Sequence, residues 1–416
     1  MTTRRTIRRP LVAIAASSVA MIALAACTTG VHAPSASADA PTAHSHDETS
    51  PRLVFTYDGG IKVLDATTLD EIADLPLSGF NRLNAYGDGE HIAVSTEGGF
   101  RILSSGARGG DPRLTDLMIA AQKPGHVVVH ARHTVFFDDG TGLIQALPTD
   151  GLGGTADSTV TELPQIRAIE SEAPHHGVAV VLENGSVVRT VGTAQARTGA
   201  LVDDDAGTRI ARSDECPGVH GEGVAQNEIV TIGCENGVLI WDGDEFTKIG
   251  SPDADYGRIG NEFATPDSSI VVTDYKNDKH AEGVTLDKIG FVDTEAKTLN
   301  VIDMPAGVHY TWRGLKRDGA GNAWVLGTDG RLYPIDVAAQ SIGDPIDVTA
   351  AWEGPGKWQD PHPSLTVDGS TAWVTEPATE QVHRVDLAER TVSTTTVGAA
   401  PNETALATGE AHHHTH

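Results

Sequence analysis

Basic residues, aromatic residues and cysteines are all scarce in this chain. Lys and Arg number 30 against 57 Asp and Glu, which gives the 416 residues a formal charge of −27. So acidic a protein cannot neutralise phosphates and release their counterions, which argues against nucleic acid as a partner. Phe, Trp and Tyr make up only 5% of the sequence, so the core must be assembled from Val, Ile, Leu and Ala. Beyond the N-terminus no apolar run is long enough to cross a bilayer. What is present in quantity is glycine, 45 residues, alongside 21 prolines and 39% hydrophobic residues. That apolar content excludes disorder throughout, and the glycine and proline argue against a helical bundle. Length alone would allow two or three domains; the repeats described below reduce them to one.

Residues 1–26 have the layout of a secretory signal. Arg4, Arg5, Arg8 and Arg9 form a basic start and Leu11 to Ala25 an apolar stretch. The stretch ends in Leu24-Ala25-Ala26-Cys27, which resembles a lipobox, whose cysteine is lipidated and becomes the first mature residue; the alternative is an ordinary cleaved signal. Loss of those four arginines would take the charge from −27 to −31. Arg4-Arg5 matches a twin-arginine signal only loosely, so the sequence leaves the export route open between Sec and Tat. The expected product is extracytoplasmic and held to the cell membrane by lipid. Residues 27–51 then read as a flexible tether and 403–416 as a disordered tail. Seven of the 18 histidines fall in these segments: His32, His44, His46, His412, His413, His414 and His416. The interruption at Thr415 argues against a cloning tag.

Between residues 52 and 402 a glycine or acidic turn followed by a short alternating strand recurs. Examples are Gly99-Phe100-Arg101-Ile102-Leu103, Gly237-Val238-Leu239-Ile240-Trp241 and Gly330-Arg331-Leu332-Tyr333. Turn glycines 59, 98, 140, 185 and 237 lie 39 to 52 residues apart. Most turns are preceded by an apolar run rich in β-branched residues, such as Ile229-Val230-Thr231-Ile232 or Val178-Ala179-Val180-Val181. Short strands at this period predict an all-β chain folded as a single β-propeller of eight blades. Seven is the alternative, because Lys276 to Asp287 is an insertion in blade 6 and the chain ends could share a blade. Closing the ring supplies the core and removes the sheet edges. Trp241-Asp242 does not recur from blade to blade, so this is not a WD-repeat protein.

With the repeats in register, the innermost strand of each blade should precede the apolar run. Several such strands begin with His or an acid, and equivalent positions of successive blades converge on one channel. His126, His220, Glu222, Glu262 and His362 are expected at one mouth, with His309 and Arg313 nearby. His130, His133, His175 and His176 are expected nearer the other end. Converging imidazoles and carboxylates are what Zn²⁺ selects, and the histidines of the tails, His44 and His46 among them, could capture the metal loosely. A single loop histidine is more often a hydrogen-bonding surface residue, and no His-Glu-x-x-His spacing exists; the metal reading rests on the set. Once Cys27 is set aside, Cys216 and Cys234 remain. In an oxidising compartment they read as a disulfide, with a thiolate metal pair as the alternative. A disulfide would brace the loop carrying His220 and Glu222.

Enzyme motifs are missing: no Gly-x-Ser-x-Gly, no phosphate loop, no dinucleotide fingerprint after a strand. A propeller hydrolase of lactonase type, using a channel metal to activate water, and a surface interaction module remain as alternatives to a metal carrier. Pro124-Gly125-His126, Cys216-Pro217-Gly218-Val219-His220-Gly221-Glu222, Cys234-Glu235-Asn236-Gly237-Val238 with Trp241-Asp242-Gly243, and His44-Ser45-His46-Asp47 together resemble the AztD-type zinc metallochaperones, extracytoplasmic bacterial propellers. The resemblance covers roughly residues 52 to 400. It implies Zn²⁺ binding without enzymatic activity, a Cys216–Cys234 disulfide, and direct transfer of the metal to the solute-binding protein of a zinc ABC transporter (AztC-like). The chain departs from the family in its lipobox and its His-rich C-terminus. A monomer is expected. Transfer would proceed by ligand exchange, which suits an accessible His/carboxylate site better than a closed thiolate cage.

Overall fold

The computed structural model describes residues 49–153, 161–253, 256–281, 283–318 and 320–411. The signal at 1–26, Cys27, His44, His46 and the histidines from His412 onward lie outside the described residues.

Second and third strands of the blades are buried almost end to end. Ile229–Cys234 and Asn236–Trp241 are examples, as are Thr371–Glu376 and His91–Thr96. Both faces of such a strand pack on a neighbouring blade, which is why these segments read as continuous apolar runs. Outer strands such as Glu71–Leu77 and Thr391–Thr396 have no buried residue, and the second is almost entirely polar. The described residues form eight antiparallel sheets of four strands, two of them carrying one additional short strand. These are eight propeller blades, the higher of the two counts considered. No helix among the described residues is long and apolar enough to cross a membrane.

The chain ends do share a blade, yet the count stays at eight. Thr404–Ala407 pairs antiparallel with Arg52–Tyr57, so the last strand becomes the innermost strand of the first blade. The propeller therefore extends past 402, and for the described residues 403–411 the expectation of disorder is corrected. Alternate residues Ala405 and Ala407 of this strand are buried against Val54 and Leu83, and closing the ring requires them. Trp373 Nε1 donates to the carbonyl of Ala66 at 2.7 Å across the same seam. Just before the closing strand, Glu403 forms a buried ion pair with Arg313, which also donates to Asn402 at 2.7 Å.

Every innermost strand runs through the channel in the same direction. Residues that precede these strands therefore gather at one mouth, and residues that follow them gather at the other. Arg52 pairs with Ala407 at the far end, and Ser50 donates to Ala107 there. The described chain thus begins on the face opposite the mouth that holds His126. In blade 4 the register differs from expectation. The repeat pattern predicts a second strand at Val178–Val181, but Ala179–Val181 is the innermost one and Val187–Gly192 follows it. The glycine turn Leu182–Ser186 here joins the first and second strands of the blade instead of the second and third, so the apolar run sits one strand further in. His175 and His176 thereby move from the far end to the near mouth.

Candidate metal centre

Blades 3, 4 and 5 each deliver one histidine to that mouth. His126 lies in the innermost strand Pro124–His130, His220 opens His220–Ala225, and His176 stands just before Ala179–Val181. Along His220–Ala225 the burial alternates, so that His220 and Glu222 point into the channel while Gly221 faces the blade. The Nε2 atoms of His126 and His176 are 3.2 Å apart, and those of His176 and His220 3.1 Å. One ligand atom from each of the three lies within 4.8 Å of the others.

Partners behind the rings set the tautomers. His176 Nδ1 meets Asp139 Oδ2 at 2.6 Å, and His220 Nδ1 donates to the carbonyl of Gly260 at 2.5 Å. With hydrogen on Nδ1, Nε2 of both rings presents a bare lone pair. Two lone pairs 3.1 Å apart repel unless a cation lies between them. Tetrahedral Zn²⁺ with Zn–N bonds of about 2.0–2.1 Å places its ligand nitrogens about 3.3 Å apart. The observed separations fit that demand to within a few tenths of an ångström. Carboxylate or carbonyl behind imidazole is also the usual support for metal-bound histidine.

Two glycines make the approach possible. A Cβ on Gly125 would lie 2.2 Å from Asp139 Oδ1, blocking the carboxylate that orients His176. Gly221, at φ +73°, is in the left-handed region, and a Cβ there would lie 2.7 Å from the carbonyl oxygen of Gly260 that His220 uses. Cys216 and Cys234 form a disulfide beside this strand.

Burial pushes the His126 imidazolium well below its ordinary pKa, and the neighbouring His220 and His176 push in the same direction. His220 is pushed down to about 3, first by burial and then by Arg258 and His176. Both rings are therefore neutral, and able to bind metal, across the physiological range. His176 keeps 37% of its side chain exposed, so the group is open to solvent on one side. Above it lies a cavity of about 600 Å³ lined by the three histidines, Asp139, Arg82, Trp312 and Trp358 among others.

The other expected ligands are elsewhere. Glu222 and Glu262 line a separate cavity of about 220 Å³ deeper in the channel, with His130 at its far side. Burial raises the Glu222 carboxyl to about 8, and Glu262 is raised well above the ordinary range by burial and by Glu222. Both are thus protonated near neutrality and are poor cation ligands as they stand. His130 is bonded to Glu228 at 2.8 Å at the opposite end. His175, though adjacent to His176, is buried between the carbonyl of Ala173 and the hydroxyl of Thr190. His362 is at the correct end of its blade but 2% exposed, packed near Trp352, with Nδ1 on the carbonyl of Asp360. His133 bonds the carbonyl of Ala131, and His309 is exposed outside the group. Asp139, which directly follows the strand His133–Asp138, carries no signal in the sequence that marks it as the partner of His176.

No family model matches the chain. In sequence it is 26% identical over 346 residues to the zinc chaperone AztD of Citrobacter koseri, covering 78% of each chain. The crystal structure of apo AztD from that organism superposes with a TM-score of 0.72 at 23% identity, covering 86% of this chain and 98% of the other. A second C. koseri AztD structure gives 0.71 at 24% identity with the same coverage. In sequence across most of its length, and in fold, this chain is similar to the zinc chaperone AztD.

Proposed function

We propose that this protein is an extracytoplasmic zinc metallochaperone that carries Zn²⁺ on His126, His176 and His220 and passes it to the solute-binding protein of a zinc ABC transporter. The observation that carries the reading is the meeting of three Nε2 atoms, two of them with tautomers that leave facing lone pairs. The similarity to a protein named as a zinc chaperone supports the choice of metal and of a carrier over an enzyme. Three protein ligands on one side of the ion leave a fourth position toward the cavity. A carrier needs that opening, because the acceptor must bind the metal before the donor releases it. The disulfide at Cys216–Cys234 and the carboxylate of Asp139 hold the donor rings in place. Lipid attachment at Cys27 would keep the protein beside its membrane-bound transporter as a monomer, with the histidines of the two termini, His44 and His46 included, as loose collectors.

The test is metal content by mass spectrometry on the full mature chain, made without an added tag and dialysed against a weak chelator. The expected result is at least one zinc retained by the chain, reduced by one equivalent when His126, His176 and His220 are all changed to Ala. Equal zinc in the two proteins would place binding in the termini and refute the channel site. Zinc loss to a purified solute-binding protein, faster than to an equal concentration of chelator, would establish direct transfer.

A further inference from the structure

The walls around the three histidines are cationic, although the chain as a whole carries −27. Arg82, Lys123, Arg258 and Lys276 line the mouth cavity, and Arg197 joins Arg258 in an adjoining recess of about 480 Å³ beside His176 and His220. Two acids share these walls, and both are already engaged. Asp139 is bound to His176, and Asp274 accepts from Gly260 N, Asn261 N and Asn261 Nδ2 at 2.6–3.0 Å. Among the described residues, Lys123, Arg197, Arg258 and Lys276 form no ion pair. On the rim, the Arg82 guanidinium lies 5.5 and 5.6 Å from the ring centres of Trp312 and Trp358. Phe80, 42% exposed, stands edge-on to Trp358.

Positive charge at this position does not help to collect a divalent cation. Three neutral imidazoles bring no charge of their own to Zn²⁺, Asp139 acts on it only through His176, and the space on the open side is lined by Arg258, with Arg197 in the adjoining recess. An anion in that vertex would satisfy the metal and the arginines together. An exposed aromatic edge beside half-buried and exposed cationic side chains is also the pattern of a protein-binding patch.

Resting on the carrier reading above, we infer that this mouth docks an acidic segment of the acceptor protein. One carboxylate of the segment takes the fourth position on Zn²⁺. Neighbouring carboxylates are held by Arg197, Arg258, Lys123 and Lys276, and the Phe80–Trp358 edge covers the apolar part of the segment. Transfer then starts with formation of a carboxylate O–Zn bond, and the three Zn–N bonds break in turn as the acceptor's other ligands arrive. Each nitrogen keeps its lone pair and no electron changes centre. Long-range attraction between an acidic segment and this patch would also speed the encounter, with a rate that falls as salt rises.

The probe is a labelled hexapeptide of alternating Asp and Gly, compared with the same peptide carrying Asn, added to the full mature chain in zinc-loaded and metal-free forms. Fluorescence anisotropy is expected to show the Asp peptide binding the loaded chain at least tenfold more tightly than the Asn peptide, and more tightly than it binds the metal-free chain. In the Co²⁺-substituted protein the Asp peptide should change the visible spectrum, as a new ligand must. Arg197→Gln with Arg258→Gln should weaken Asp-peptide binding at least tenfold while zinc is still retained. Lys123→Gln with Lys276→Gln, nearer the surface, should weaken it less and serves if the first pair disturbs folding. Equal binding of the two peptides, or no loss in either double variant, overturns the inference. Complete displacement by acetate at the same carboxylate concentration also overturns it, in favour of a small-anion site. A chain that retains no zinc refutes the carrier reading instead, and the arginine variants on the metal-free chain then decide separately whether the mouth recognises acidic peptide.

Discussion

At the channel mouth, His126, His176 and His220 direct Nε2 into a shared space, while histidines inside the blades spend their nitrogens on the fold. His383 is held on one side by the Thr394 hydroxyl at 2.9 Å and on the other by Glu376 at 3.2 Å. His91 is 2% exposed with Nδ1 on Asp88 at 2.6 Å. Composition cannot distinguish the two sets, since both contain imidazole beside carboxylate. What differs is the second nitrogen. At the mouth it faces other histidines across a gap of the size that a metal requires; in the blades it faces a protein partner or packed side chains. A ligand is therefore identified by its unused lone pair and the company that lone pair keeps.

The comparison breaks most visibly at His176. An Asn amide can take the place of Nδ1 toward Asp139 but offers nothing at the position of Nε2. His176→Asn should therefore leave thermal unfolding close to that of the parent while zinc affinity, by chelator competition, falls on the order of 10²–10³-fold, one ligand's share of a tight site. A loss of stability without loss of zinc would move His176 into the structural set.

Asp203 in blade 4 should behave in the opposite way. Arg189 reaches it at 2.7 Å and Arg209 at 2.7 Å. Burial alone would raise its carboxyl, but hydrogen bonds and charge from the two arginines outweigh burial and hold it below the usual range. Asp203→Asn strands the buried Arg189 and should cost about 3 kcal/mol, read by denaturant unfolding, with zinc content unchanged. Because the folded-state pKa is the lower one, the contribution is complete above the unfolded carboxylate value near 4 and disappears as pH falls through the folded value. The parent should lose this stability on acidification and the variant should not.

Much of the fold was legible in the sequence because a propeller repeats its burial pattern. Apolar second strands and glycine turns recur in nearly every blade, which gave the eight-blade count and, from equivalent starting positions, His126 and His220. The failures share a physical cause. Val178-Ala179-Val180-Val181 has the composition of a second strand but packs as an innermost one, so His176 was expected at the wrong end. Glu222 follows His220 on the same face of its strand, yet the step along the strand carries it past the histidines into a buried recess. Thr404–Ala407 is too short to announce itself, and the strand that gives it its role lies about 350 residues earlier. Asp139 acts only through the ring it supports, and turn composition conceals such a role.

That supporting role should be measurable. Asp139→Asn keeps size and position but removes the charge and can present its amide to His176, turning the ring to the wrong tautomer. Zinc affinity is expected to fall about 10–100-fold, as for other partners behind metal-bound histidine, with the Co²⁺ spectrum altered and stoichiometry kept at high metal. Unchanged affinity would mean that His176 is oriented by packing alone.

The smallest effect should come from the residue next door. His175 donates Nδ1–H to the carbonyl of Ala173 at 2.8 Å, while its Nε2 meets the Thr190 hydroxyl at 3.0 Å. Burial lowers its pKa, so the ring stays neutral and its partners remain fixed through the physiological range. His175→Asn preserves the first bond and gives up the second, a loss of about 1 kcal/mol for one neutral hydrogen bond. Zinc affinity should be unchanged within the error of the chelator titration. The same substitution at consecutive positions thus separates the two kinds of histidine, one reporting on metal and the other on unfolding. If His175→Asn lowered zinc affinity as much as His176→Asn, the distinction would fail, and rigidity of the whole loop would govern the site instead of a free lone pair.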